Sequence, residues 1–370
     1  MVELYLHLLT TGMIRDFIIA VNILLFIVTL GLFLTLLFHK VYVERRTRRL
    51  TALKERYLEE LTHKCYEPSL AITKPTTALA YDALGAVFAT MLVNVSGTMA
   101  ASVRCFIREL GIDGYYRARV RSRSWVKRYV AVEKLGYFGF PELKPLFRSL
   151  LDTERDTRII PKLVWALSVI ADRDDVPFIN RVLKDPLFMS AKFNEYIYTN
   201  IIRAFRERDQ EQELLELFTS LMDDEALPVI LKRDIIQACG SEMFLIAKDL
   251  AADCFRRFHE VAEMRIACIR TLQRFSAVDT EALLNECLRD TDWRIRGVAA
   301  KSAHLYSPEV LGALRQLLHD ESYHVRINSA LSLSRMGEAG LEVLVDATRS
   351  EDRFVRDVSQ YVLKRLIYAS

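Results

Sequence analysis

From about residue 120 onward, apolar residues recur three and four positions apart, in short bursts broken by Asp, Ser, Gly or Pro. That spacing is the period of amphipathic helices, and no run of alternating β-branched residues competes with it. The pattern itself repeats. A stretch reading (Asp/Ser)-x-(Asp/Ser)-x-x-(Ile/Val)-Arg starts at Asp290, Asp320 and Ser350, placing Arg296, Arg326 and Arg356 thirty residues apart. A period of that length holds two short helices and two turns, so it predicts an all-α stack, an α-solenoid rather than a globule. Weaker copies run back through Arg265–Leu272, Lys232–Cys239, Asn194–Phe205, Thr157–Ile170 and Trp125–Gly136. Together they make about eight helix pairs over 120–370.

Each repeated position has a structural task. The Asp or Ser ahead of the second helix can cap its bare first-turn N–H groups. The Ile or Val faces the neighbouring pair, as does the apolar residue eight positions on. Small residues between them (Ala299, Ala300, Ala303; Ser329, Ala330) allow close helix approach. The repeated Arg is expected to bond an Asp of the following turn. That would make a structural ladder of Arg265, Arg296, Arg326 and Arg356 with Asp290, Asp320 and Asp352.

Upstream the pattern changes. Phe17 to Phe38 carries no charge and is mostly Leu, Ile, Val and Phe. At 1.5 Å per residue this stretch spans a hydrocarbon core of roughly 30 Å. It is too long for a signal-peptide core and has no basic segment ahead of it, so it reads as an uncleaved single-pass anchor. Lys40, Arg45, Arg46, Arg48, Arg49, Lys54 and Arg56 follow it, whereas only Arg15, beside Asp16, precedes it. The positive-inside rule then puts the N-terminus outside and the rest in the cytoplasm, at an inner membrane. The same basic run could also attract anionic lipid. A second uncharged stretch, 83–103, is interrupted by Asn94-Val95-Ser96-Gly97 and reads as a soluble helical hairpin. Crossing the membrane there would translocate Arg104, Arg108, Arg117, Arg119, Arg121 and Arg123. The expected organisation is a short extracytoplasmic segment 1–15, a transmembrane helix 16–39 and a basic juxtamembrane helix 40–67. A hairpin 68–119 and the solenoid 120–370 complete it.

The repeats over 285–366 resemble HEAT repeats, in particular the short bacterial kind grouped with phycobiliprotein-lyase-type HEAT-like proteins. With the membrane helix, basic helix and hairpin ahead of Arg121-Ser-Arg-Ser-Trp125, nearly the whole chain is similar to bacterial membrane-anchored HEAT-repeat proteins. The resemblance implies a scaffold or adaptor. Some such proteins are encoded near membrane glycosyltransferases, so it also implies a membrane glycosyltransferase as a partner, in envelope polysaccharide work.

Composition adds little chemistry. The formal charge of +3 is nearly balanced and does not mark a nucleic-acid binder. Six cysteines (65, 105, 239, 254, 268 and 287) form no Cys-x-x-Cys pair and read as reduced thiols, mostly buried in helices. HEAT-type deoxyhypusine hydroxylases hold di-iron through several His-Glu pairs, whereas this chain has one, His259-Glu260. His304, His319 and His324 fall within one repeat but lack a companion ligand spacing. There is no phosphate-binding Gly loop and no nucleophile motif; single glycines such as Gly136, Gly240 and Gly337 read as helix ends. No enzyme, metal or cofactor is expected.

Charge supplies the functional clue. The second helices of the pairs carry roughly 22 basic against about 5 acidic residues; the first helices carry roughly 10 against about 15. Lining the concave side, the second helices would focus a positive potential. Lys232, Arg233, Arg270, Arg274, Arg294, Lys301, Arg335 and Lys364 are the expected partner-binding residues. The leading expectation is a membrane-anchored scaffold holding an acidic protein segment. A binder of an anionic ligand or lipid head group is the alternative, and a HEAT-like enzyme ranks below both.

Overall fold

The computed structural model describes the backbone of residues 2–66, 70–185, 191–275 and 281–369, and the side chains of 16–64, 70–185, 192–275 and 281–366. The side chains of Arg15 and Cys65 therefore lie outside the described residues. Every element among the described residues is helical, and the chain divides into two compact units, Met1–Arg121 and Ser122–Ser370.

The first unit holds α1 (Val2–Tyr66), α2 (Ala78–Asn94), α3 (Gly97–Glu109) and α4 (Ile112–Arg119). At 65 residues, α1 is about 98 Å long. It runs through the expected boundaries at 15 and 39 without a break, because neither Pro nor a capping turn interrupts its helix-forming residues. Its apolar stretch reaches a mean hydropathy of 2.8 with none of that window buried, so it is long and apolar enough to cross a membrane. The polar residues inside it satisfy themselves on the helix. Asn22 Nδ2 donates to Ile18 O (2.9 Å), and the Thr29 and Thr35 hydroxyls donate to Leu25 O and Gly31 O (2.7 and 2.8 Å). A polar group bonded to its own backbone needs no water, which lowers the cost of placing it in hydrocarbon.

Among the described residues of α1, only the far end packs. Tyr57 and Leu61 are buried, and α2 lies against the helix. The Glu60 carboxylate ties the returning chain down by accepting from the Thr73 N–H and hydroxyl as well as from Arg56. The turn between α2 and α3 falls at Val95–Ser96, and Ser96 makes no side-chain cap bond. Tyr116 of α4 is fully buried against Gly85, and its hydroxyl donates to Tyr81 O (3.2 Å).

In the second unit, α5 (Trp125–Phe138) precedes seven pairs. They are α6 (Lys144–Thr153) with α7 (Ile160–Ser168), α8 (Asp175–Leu183) with α9 (Ala191–Arg206), α10 (Glu211–Asp223) with α11 (Val229–Ser241), and α12 (Lys248–Arg257) with α13 (Ala262–Phe275). Then come α14 (Glu281–Cys287) with α15 (Trp293–Ser302), α16 (Leu311–Leu317) with α17 (Tyr323–Leu333), and α18 (Gly337–Ala347) with α19 (Arg353–Ala369). The odd-numbered helices pack one on the next from α5 to α19 as a continuous inner layer. The even-numbered helices cover this layer on its other side; α6, α12, α14, α16 and α18 lie against their own pair, whereas α8 lies against α7 and α10 bridges α9 and α11. The unit is thus an α-solenoid of HEAT-like helix pairs, with eight inner helices and seven outer ones among the described residues.

The repeated apolar positions are where the layers meet. Ile295, Val325 and Val355 are fully buried, as are Ala299, Ala300, Ala303, Ser329 and Ala330. Each Ile or Val contributes about 1.5–3 kcal/mol by leaving water, while the small residues let the inner helices close up.

Gly136 and Gly240 sit in the last turns of α5 and α11, as expected, but do not cap them; each is pressed against the next inner helix. A Cβ at Gly136 would sit 2.5 Å from Trp165 Cζ3, and one at Gly240 would sit 2.6 Å from Thr271 Oγ1. Close approach, not turn geometry, requires them. The turns are made by Gly139 and Gly337, at φ of 64° and 68°.

Candidate functional site: a basic pocket on the inner layer

The repeat motif organises the helix starts. Asp290, Asp320 and Ser350 accept the backbone N–H two residues on, from Asp292, Ser322 and Asp352. Asp292 and Asp352 then accept from the Arg294 and Phe354 N–H groups at 2.8 Å, whereas Ser322 makes no side-chain cap bond. The motif Arg clamps the same turn. Arg296, Arg326 and Arg356 each donate from Nη1 to the carbonyls five and six residues back, at 2.6–3.0 Å.

The ladder expected between repeats is incomplete. Arg265 pairs with Asp290 (2.5 Å), and Arg296 makes a two-pronged bond to Asp320 (2.7 and 3.0 Å). Arg326 does not reach Asp352; it lies over the Phe354 ring (5.0 Å), its Nε buried without a partner. Asp352 instead faces His319 (3.8 Å). The position that supplies the rung carboxylate in Asp290 and Asp320 is Ser350 in the last copy, so no carboxylate stands where Arg326 would need one.

A ladder member the sequence reading missed is Arg128. It donates to the Ser122 and Arg123 carbonyls and pairs with Glu154 (2.8 Å). The signal was Ser122-x-Ser124 six residues ahead of Arg128, obscured because Lys127 stands where the motif has Ile or Val.

Of the eight expected partner-binding residues, four come together. Arg270 and Arg274 project from α13, Lys301 from α15, and Arg335 just after α17, around an open pocket of about 680 Å³. Gln273, Ser302, His304 and Asn328 add neutral polar groups, and Val298 and Leu305 an apolar wall. Among the described residues no carboxylate lines the pocket. Arg274 donates to Ser241 Oγ (2.9 Å), and no ion-pair partner stands against Arg270, Lys301 or Arg335 among the described residues.

The other four do not join them. Lys232 is buried and donates to Met222 O (2.8 Å); burial, then repulsion from Arg257, pushes its ammonium below the usual lysine value. Arg233 is held in a buried pair with Asp234 (2.6 Å). Arg294 is held by Asp292 (2.7 Å) and Glu263 (3.3 Å). Lys364 is exposed on α19, away from the pocket lining. Charge sign alone could not separate these cases, because Lys232 and Arg294 are engaged by groups from another helix, Met222 O and Glu263, and Arg233 by its buried neighbour Asp234.

His304 is the pocket's titratable group. Burial, then the nearby Arg335 charge, pushes its imidazole below the ordinary histidine value. Its backbone N–H donates to Ser332 Oγ (2.8 Å), and its Nδ1 lies 3.3 Å from the same oxygen. The three histidines of this region are apart in function: His319 faces Asp352, and His324 stacks on Trp293 (5.5 Å). Among the described residues no three His, Cys, Asp or Glu side chains could hold a metal ion together. Cys105, Cys239, Cys254, Cys268 and Cys287 are free thiols, all buried but Cys105, and burial pushes Cys254 up to about 11 and Cys287 up to about 12.

Residues 302–364 match the family described as HEAT repeats. No curated protein matches the sequence. Among solved structures, the chain is similar to human deoxyhypusine hydroxylase in complex with glycerol, at 13% identity over 79% of this chain and 98% of that one (TM-score 0.25). It is similar to a structure of the Pds5–Scc1 complex, described for its implications for cohesin function (12%, 85% and 60%, TM-score 0.35). Kap121p matches at 10%, over 85% of this chain and 45% of that one (TM-score 0.34). The chain thus spans under two thirds of the length of the last two, and scores this low carry no argument about activity.

Proposed function

We propose that this chain is a membrane-anchored scaffold whose inner layer captures an acidic segment of a partner protein in the pocket formed by Arg270, Arg274, Lys301 and Arg335. The observation that carries the reading is the uncompensated charge of that pocket. Elsewhere on the inner layer the basic residues are largely matched: Arg128 by Glu154, Lys162 by Glu133, Arg203 by Glu242, Arg296 by Asp320. Cations near helix C-termini gain from the helix dipole, which accounts for their tolerance there. It does not account for four of them converging on one open pocket with no carboxylate among the described residues, an arrangement that focuses positive potential and recruits anions.

The anchor is the apolar part of α1, with the basic residues that follow it facing the cytoplasm and the solenoid on that side. Anchoring confines the scaffold to partners at the same membrane and raises their effective concentration. The test is crosslinked pull-down of the intact protein from detergent-solubilised membranes, with Arg270→Glu/Arg274→Glu/Lys301→Glu as comparison. Stoichiometric capture through an acidic segment, lost in the charge-reversed protein, supports the reading. Capture that survives the reversal removes the pocket from it.

A further inference from the structure

The pocket's composition says more than its sign. Its donors are three guanidinium forks and one ammonium, because the Ser302 hydroxyl and the Asn328 amide already donate to Val298 O and Gly297 O. A single carboxylate brings one charge and two oxygens, leaving most of that array unmatched. A phosphate monoester brings a charge of about −1.5 to −2 and three strong acceptor oxygens, enough for two forks and the ammonium together. We infer that the group this pocket reads is a phosphate ester, carried on a phosphorylated side chain of the captured segment.

The inference rests on the capture reading above and names its chemistry. Three features favour a peptide-borne phosphate over a free anion. The pocket, at about 680 Å³, has room for far more than one phosphate group. Val298 and the exposed Leu305 offer an apolar wall to the carbon atoms beside the ester. Asn328 lines the pocket and uses Nδ2 on Gly297 O (2.9 Å). Its carbonyl oxygen is then left to accept a peptide N–H.

The test uses the full chain in lipid nanodiscs. A fluorescent peptide with phosphoserine between two glutamates is titrated by anisotropy, beside the same peptide carrying Ser or Glu at that position. Inorganic phosphate, and vesicles containing phosphatidic acid, serve as competitors. The phosphopeptide is expected to bind at least about tenfold more tightly than the Glu peptide, with phosphate competing only at much higher concentration. Arg270→Gln/Arg335→Gln should lose that preference, whereas Lys364→Gln, outside the pocket, should keep it. Both variants change exposed residues, and their melting curves report folding.

Equal binding of the phosphopeptide and Glu peptides overturns the inference and leaves the capture reading standing. Phosphate or phosphatidic acid vesicles competing as well as the phosphopeptide binds overturns the peptide source. Absence of any probe binding by folded protein overturns the inference, and pull-down then decides the capture reading separately.

Discussion

Gly240→Ala isolates the close packing of the inner layer. In a helix taken alone, the change stabilises by about 1 kcal/mol, because Ala loses less backbone freedom on folding. Here the added Cβ would sit 2.6 Å from Thr271 Oγ1 and 3.0 Å from Thr271 Cα. The second contact is backbone, so rotating the threonine does not relieve it, and α11 and α13 must separate. Thr271 Oγ1 also donates to Ile236 O (2.8 Å), a buried bond that separation weakens. Overpacking of this kind costs about 1–3 kcal/mol and the weakened bond about 1 kcal/mol. Against the helix gain, the net is a destabilisation of about 1–3 kcal/mol. Gly312→Ala is the matched control, since nothing lies within 4 Å of a Cβ there, and it should be neutral or stabilise by a few tenths of a kcal/mol. Urea denaturation followed by circular dichroism compares the two. If Gly240→Ala is as stable as Gly312→Ala, the argument that close approach selects this glycine is wrong.

Arg296→Ala should cost about 2–3 kcal/mol, since it leaves the nearly buried Asp320 carboxylate uncompensated and releases two carbonyls; Arg326→Ala, which breaks no ion pair, should cost less in the same denaturation assay. Burial pushes Asp320 up, but bonds from Arg296 and the Ser322 N–H outweigh it and hold the carboxyl below its usual value. Its stabilising contribution is therefore full above the unfolded value of about 4 and is lost as pH falls through the folded value. Acid titration of Arg296→Ala should show that loss reduced; an unchanged acid limb refutes the pairing. His304 runs the other way from a partnered histidine, because the folded state favours its neutral form while Arg335 and the other pocket cations face it. Stability should fall as pH drops from about 6.5 towards the lowered folded value, and His304→Gln should flatten that slope in melting curves. Removal of residues 1–39 should release the remainder from the membrane fraction in a carbonate wash, and its retention there would refute α1 as the anchor.

The helices and their pairing were legible in the residues because they depend on short-range terms. Ile295, Val325 and Val355 recur at a fixed period, and a local hydrophobic rhythm is enough to place a buried face. The same holds for the uncharged stretch of α1, whose length alone sets what it could span. The site was only half legible. Basic residues could be assigned to the second helices by position, but Lys232, Arg233 and Arg294 are withdrawn by Met222 O, Asp234 and the Asp292–Glu263 pair. Arg270, Arg274, Lys301 and Arg335 look no different in sequence and are left facing one opening. Likewise the sequence places Gly136 and Gly240 at helix ends, but only the arrival of Trp165 and Thr271 from the next inner helix shows why they must be glycine. Periodicity determines which side of a helix is buried, since that is a property of neighbours along the chain. Whether Lys232 meets Met222 O, whether Arg294 meets Glu263, and which glycine is pressed against the next helix depend on residues ten to about thirty positions away, whose distances exist only once the stack has formed.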